Sequence, residues 1–369
     1  MPIITRRHAA GKRFIGEIIL DNPASLNALA PDMVGDMRAR LNEWQKDDGI
    51  AAVVVRGTGE KSFCAGGDVR FVYNALCENS SEKAAQYFAD EYLLDYAVHC
   101  FGKPIVGWGG GIVMGGGMGV WQGCNLRVAA THTKIAMPEV KIGFFPDVGA
   151  LFFMRRYHGA PATSFFLGLS GAVLNAAQVS DIGAADFILP SDAYDSLLQN
   201  LCAAKWTNND NMPVARDVLS DMAISADNEE RGESINELAE QCWYAAQNDG
   251  AAAAFSLLPE KMQFNACPLS LHVWTEYCLR RAKTPEPQNS DVLTETDKSM
   301  LRDVLQSDYA LAVNFIRHGD FAEGVRALLI DKDNNPQWRA AHDKDAVAAM
   351  FTPPAEAEEF ARRLAANAD

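Results

Sequence analysis

Two carboxylates, Glu139 and Asp147, stand eight positions apart in the otherwise mostly apolar segment Met137-Pro138-Glu139-Val140-Lys141-Ile142-Gly143-Phe144-Phe145-Pro146-Asp147. A carboxylate in apolar surroundings is costly unless it is paired or put to use. The triplet Gly115-Gly116-Gly117 precedes this segment, and a second small-residue loop, Ser62-Phe63-Cys64-Ala65-Gly66-Gly67-Asp68-Val69, lies further upstream. Small residues let the backbone approach a ligand closely. One free amide from each loop makes an oxyanion hole, and acids beside it move protons. The combination points to a reaction at a carbonyl.

Each of these features also has a purely structural reading. The glycines suit a tight strand-to-helix turn, Asp68 suits a turn cap, and Glu139 and Asp147, each following a proline, suit helix caps. Other chemistries fit less well. The run from Gly107 to Gly119 has no G-x-G-x-x-G frame, the nearest ending at Val120, and no P-loop frame. Gly168-Leu169-Ser170-Gly171 misses the G-x-S-x-G spacing of a nucleophile elbow. The seven histidines are scattered and the eight cysteines form no CxxC, so neither a metal site nor a disulfide framework is expected.

The elements that must position these residues follow from periodicity and punctuation. Strands are expected at Phe14–Leu20, Ala51–Arg56, Ile105–Trp108 and Leu126–Ala130, and helices at Pro31–Lys46, Ser81–Phe101, Asp147–Tyr157 and Pro161–Leu167. Strands alternate with helices to about residue 195, after which the pattern is helical, with polar connections at Ser225–Ser234 and Thr284–Lys298. The expected fold class is therefore α/β, with an α/β core over 1–195 and a helical C-terminal region over 196–369. The chain has 369 residues, 48% of them hydrophobic, and a net charge of −15. That supports a substantial core and argues against nucleic-acid binding. Pro104–Val120 is too short and glycine-rich to span a bilayer, and the N-terminus lacks the apolar stretch of a signal peptide. A cytoplasmic protein is the expectation.

In order along the chain, Asn22-Pro23-Ala24-Ser25-Leu26-Asn27-Ala28-Leu29, Phe63-Cys64-Ala65-Gly66-Gly67-Asp68, Gly115-Gly116-Gly117 and Met137-Pro138-Glu139 resemble the spaced motifs of the enoyl-CoA hydratase/isomerase (crotonase) superfamily. The resemblance implies a crotonase-type ββα spiral core. Asp90-Glu91-Tyr92, Phe144–Gly149, Cys267–Leu271, Asp320–Ala327 and Leu329–Asp333 extend it almost end to end, toward a thioester-hydrolysing branch. Hydratases of this family use two glutamates. Glu139 matches one, but Gly119 stands where the other belongs, and Asp147 stands where they have glycine.

That exchange implies hydrolysis of a short β-hydroxyacyl-CoA, 3-hydroxyisobutyryl-CoA of valine breakdown, with enoyl-CoA hydration or isomerisation as the alternative and a non-catalytic CoA- or protein-binding relative as a third reading. The resemblance further implies that the thioester oxygen sits between the amides of Gly67 and Gly116. Glu139 acts as general base or as nucleophile. Asp147 orients water, protonates the leaving thiolate or binds the substrate hydroxyl. Glu91 lines the acyl pocket, and CoA lies along Ser25, Ala65, Gly67, Asp68 and Val69. CoA enters as part of the substrate, no cofactor or metal is implied, no membrane or nucleic acid is a partner, and homo-oligomers are expected.

Overall fold

A computed structural model describes residues 3–207, 210–225, 234–288, 290–339 and 344–366. Among the described residues, ten strands form two sheets. β1 (Ile4–Ala10), β2 (Arg13–Leu20), β3 (Ile50–Gly57), β5 (Ile105–Gly109), β7 (Leu126–Ala130) and β10 (Phe187–Leu189) make the larger, in that order. Only β1 and β2 pair antiparallel there. The smaller sheet runs β4 (Ser62–Cys64), β6 (Ile112–Met114), β8 (Lys134–Ala136), β9 (Leu174–Asn175), parallel except for its last pair. From β3 to β8, successive strands alternate between the two sheets. Each turn of this spiral therefore delivers one strand of the small sheet, and β4, β6 and β8 end side by side.

β3 shows why its run of apolar residues reads as a strand with no polar face. Val53 and Val55 belong to the main core, while Ala52 and Val54 face a second core under the helices Tyr194–Ala203 and Met212–Met222. A strand covered on both faces need not alternate. Helix α1 (Pro31–Lys46) has the expected bounds and lays Trp44 directly on Gly16, where a Cβ would lie 2.5 Å from the indole. The other helices of the first half include α2 (Val69–Cys77), α3 (Ser81–His99) and α4 (Gly116–Gly123). α3 is buried on nearly every side from Tyr87 onward, yet it carries Glu91 and Asp95 into that interior.

The described residues after Leu189 contain helices and no strand. The helices Pro268–Arg281 and Glu295–His318 join the main core through Trp274, Tyr277, Leu305 and Phe315. Residues 226–233 of the expected polar connection lie outside the described residues.

One sheet was not among the expected strands, and one expected helix changes. The strands of the small sheet have two or three residues each, too few for a periodic signal. The expected helix Asp147–Tyr157 is only Ala150–Phe153 followed by a 3₁₀ turn, Met154–Arg156. Val148 (φ 53°) and Gly149 (φ 79°) put the chain in the left-handed region and delay the helix start.

Candidate active site

Three adjacent parallel strands deliver three groups to one edge. β4 leads into Gly66-Gly67, β6 into Gly115-Gly116, and β8 into Met137-Pro138-Glu139. The carboxyl ends of parallel strands are where α/β sheets place ligands. The Gly67 loop is pinned by a bridge to Leu29, with Leu29 N donating to Gly66 O (2.9 Å) and Asp68 N to Leu29 O (3.1 Å). Gly116 opens α4, so its N–H has no intrahelical acceptor, and the helix dipole adds to it. The two loops nearly touch. A Cβ on Gly116 would lie 2.9 Å from Gly67 N and 2.3 Å from Glu91 Oε1. Gly115 adopts φ 50°, and a Cβ there would come within 3.0 Å of Glu139 Oε1. Glycine is required here for conformation and for space alike.

These groups border a cavity of about 300 Å³. Ala65, Gly67, Val69, Glu91, Gly116, Glu139 and Asp147 all line it, together with Tyr87, Phe88, Phe144, Phe321 and Leu329. The C-terminal half thus contributes directly to the wall. Phe88 stacks on Phe144 (5.3 Å), and Phe321 meets Phe144 edge-on (5.3 Å). Asp68 and Ser25 stand apart. The Asp68 carboxylate caps α2 by accepting from Phe71 N (3.0 Å), and Ser25 sits on an exposed 3₁₀ turn.

Asp147 is not a helix cap. Gly149 starts the helix, and the Asp147 side chain turns inward to accept from Tyr92 Oη (2.6 Å). The turn is held from behind, because Asp308 accepts from Gly149 N (2.9 Å) and from Tyr277 Oη (2.8 Å). Nor does Glu139 cap a helix: it opens a 3₁₀ turn, and its Oε2 is buried without a described hydrogen-bond partner.

Glu91, Glu139, Asp147, Asp95 and Asp308 are all buried, and Lys141 is the single cation among the described lining residues. Its ammonium donates to Gly171 O (3.2 Å). Burial lifts the Asp147 pKa to about 7 against the Tyr92 hydrogen bond, which favours the charged form. Burial, with the charge of Asp147 next, pushes Glu91 and Glu139 well above the carboxylate range. Asp147 therefore ionises first, and its charge keeps its neighbours in the acid form. Tyr92→Phe should then move the acid limb of the activity profile upward from about 7, because the bond that eases Asp147 ionisation is gone; kcat/KM against pH reads the shift.

Tyr92, Asp95 and Asp308 carry no role in the sequence reading. The available signal for Asp95 was a charge one turn from Glu91 in a helix with little polar face. Among the described residues no group of three or more His, Cys, Asp or Glu is placed to hold a metal ion, and no helix is long and apolar enough to cross a membrane.

The glycine loops and buried acids meet at the end of a spiral of strands, and a family model described as enoyl-CoA hydratase/isomerase matches residues 15–352, so the chain belongs to that family. Within it, the chain is 34% identical over 341 residues to the mitochondrial 3-hydroxyisobutyryl-CoA hydrolase of Homo sapiens, covering 89% of this chain and 83% of that protein. It is also 33% identical to the small ribosomal subunit protein mS47 of Neurospora crassa, covering 87% of this chain but 65% of that protein. A carnitinyl-CoA dehydratase structure from Mycobacterium thermoresistibile superimposes with a TM-score of 0.75 at 30% identity, covering 95% of this chain and 97% of that one. The cytoplasmic expectation is overturned, since the human hydrolase is a mitochondrial protein. That expectation leaned on unpaired thiols, which report a reducing environment and not which compartment supplies it.

Proposed function

We propose that this protein hydrolyses the thioester of 3-hydroxyisobutyryl-CoA, or a closely similar short β-hydroxyacyl-CoA, to the free acid and CoA, as a step of valine breakdown. The observation that carries the reading is the position of Asp147: it shares one small cavity with Glu139 and with the amides of Gly67 and Gly116, while α4 offers only Gly119 in place of a second hydratase glutamate.

The amides of Gly67 and Gly116 form the oxyanion hole. Glu139 and Asp147 act as a pair sharing a proton: the ionised member draws a proton from the attacking water, and the protonated member returns one to the departing sulfur. In the covalent variant, Glu139 first passes its proton to Asp147 and attacks the carbonyl as the carboxylate; the C–S bond breaks, the thiolate takes the proton from Asp147, and water then opens the anhydride to the free acid. Glu91 meets the β-hydroxyl. CoA runs along Ser25, Ala65, Gly67, Asp68 and Val69 and is the only non-protein group required. Residues 1–195 hold the catalytic and CoA-binding parts, residues 196–369 close the acyl end, and the working form is a homo-oligomer.

Thiol release from 3-hydroxyisobutyryl-CoA, followed with a chromogenic thiol reagent, tests the proposal. Turnover well above the no-enzyme rate is expected. Loss of enoyl-CoA absorbance without thiol release would replace it with a hydratase or isomerase. Tight CoA binding with no turnover of any short acyl-CoA would replace it with a binding role, such as the ribosomal relative suggests.

A further inference from the structure

Two carboxyls of α3, Glu91 and Asp95, point inward, and the cavity explains only the first. Glu91 lines it, and Tyr92 donates to Asp147. Asp95, one turn beyond Glu91, is fully buried, and neither carboxyl oxygen has a hydrogen-bond partner among the described residues. An orphaned buried carboxyl is costly, and an apolar side chain would fill the same space without that cost.

Its surroundings show what it touches. A Cβ on Gly119 would lie 2.6 Å from Asp95 Oδ1 and 2.7 Å from Val148 Cβ, so Asp95 and Val148 both border the space that the missing side chain on α4 leaves. Val148 directly follows Asp147, and its φ of 53° is rare for a β-branched residue and strained. Asp95 thus packs beneath the turn that presents Asp147 to the cavity.

We infer that Asp95 is a positioning residue for the hydrolysis proposed above: a buried, unpartnered acid, seated against Gly119 beside the Val148 turn, that sets how charge is shared among the carboxyls of the site. The titratable groups facing it are Glu91 on α3, Cys64 at the end of β4, Asp147 on the turn and Asp308 on the long helix Glu295–His318. None is a cation. A charge on Asp147 is received by Tyr92 Oη, and one on Asp308 by Gly149 N and Tyr277 Oη. A charge on Asp95 meets no donor. Burial, with the charges of Glu91, Asp147 and Asp308 after it, holds Asp95 in the acid form well above the ordinary range. When Asp95 does ionise, the charge lies against the strained turn, and the geometry of Asp147 fails with it. Activity therefore falls at the alkaline end of the profile.

The test compares kcat/KM for thiol release against pH in the full-length protein and in Asp95→Asn, which is close in shape and cannot ionise, each normalised to its own maximum. The expected result is an unmoved acid limb and an alkaline fall displaced upward by about one pH unit or more. Superimposable alkaline limbs overturn the inference. So does an acid limb displaced downward, which means that Asp95 was already charged. An infrared titration that compares the parent with Asp95→Asn needs no turnover. Above the ionisation of Asp147 and Asp308, at about 7 and about 8, the parent should show a protonated carboxyl C=O contribution that the variant lacks, over and above that of Glu91 and Glu139. Identical carboxyl bands in the two proteins also overturn the inference. This reading rests on the hydrolase proposal, but the two fail separately: absence of thiol release removes the hydrolase, while the infrared titration still decides the state of Asp95.

Discussion

Glu139→Gln is expected to lower thiol release by about 10²–10⁴-fold, the range for loss of a positioned acid or base. The amide keeps the size of the side chain and cannot exchange a proton or act as a nucleophile. Glu139 Oε2 has no described hydrogen-bond partner, and burial already disfavours its charge, so little structural energy is lost. The midpoint of thermal unfolding should stay within a few degrees of the parent or rise slightly. A variant that keeps more than about a tenth of the parent rate would remove Glu139 from the reaction; a variant that unfolds early would mean its role is structural.

Asp147→Asn is the second large effect, again about 10²-fold or more in kcat. It comes with a stability signature. Burial raises this carboxyl from its ordinary 3.8 to about 7, so between those values the folded chain holds a proton that the unfolded chain has released. The stabilisation that proton brings is fully present below about 4 and is lost as pH rises through about 7. Asparagine escapes the loss. The variant should melt near the parent in acid and above it at alkaline pH, while turning over far more slowly. Calorimetry across pH with parallel thiol-release kinetics reads both. Equal melting curves at every pH would show that Asp147 is not held in this environment.

The two experiments concern residues that were conspicuous in the chain. Glu139 and Asp147 stand out because charged side chains are rare in segments as apolar as Phe144-Phe145-Pro146, and the two glycine loops stand out because nothing in a helix or strand needs them. Their geometry was not legible. Gly67, Gly116 and Glu139 meet because β4, β6 and β8 are neighbours, and strands this short leave no period to read. The cap readings were divided by the fold. Asp68 does cap α2, whereas Asp147 is turned inward because Val148 and Gly149 adopt left-handed backbone before the helix begins.

By itself, the sequence determined which chemistry was available: two amide-bearing glycine loops, Glu139, Asp147, and no carboxylate at Gly119, a set that the family resemblance marks as unlike a hydratase's. These are matters of residue type and order, which need no folding to be true. Tertiary structure alone decided the state of those groups. Ionisation depends on burial and on neighbours from remote parts of the chain: Asp308 holds Gly149 from 159 positions away, Tyr92 holds Asp147 from 55, and Asp95 fills the space that Gly119 leaves open.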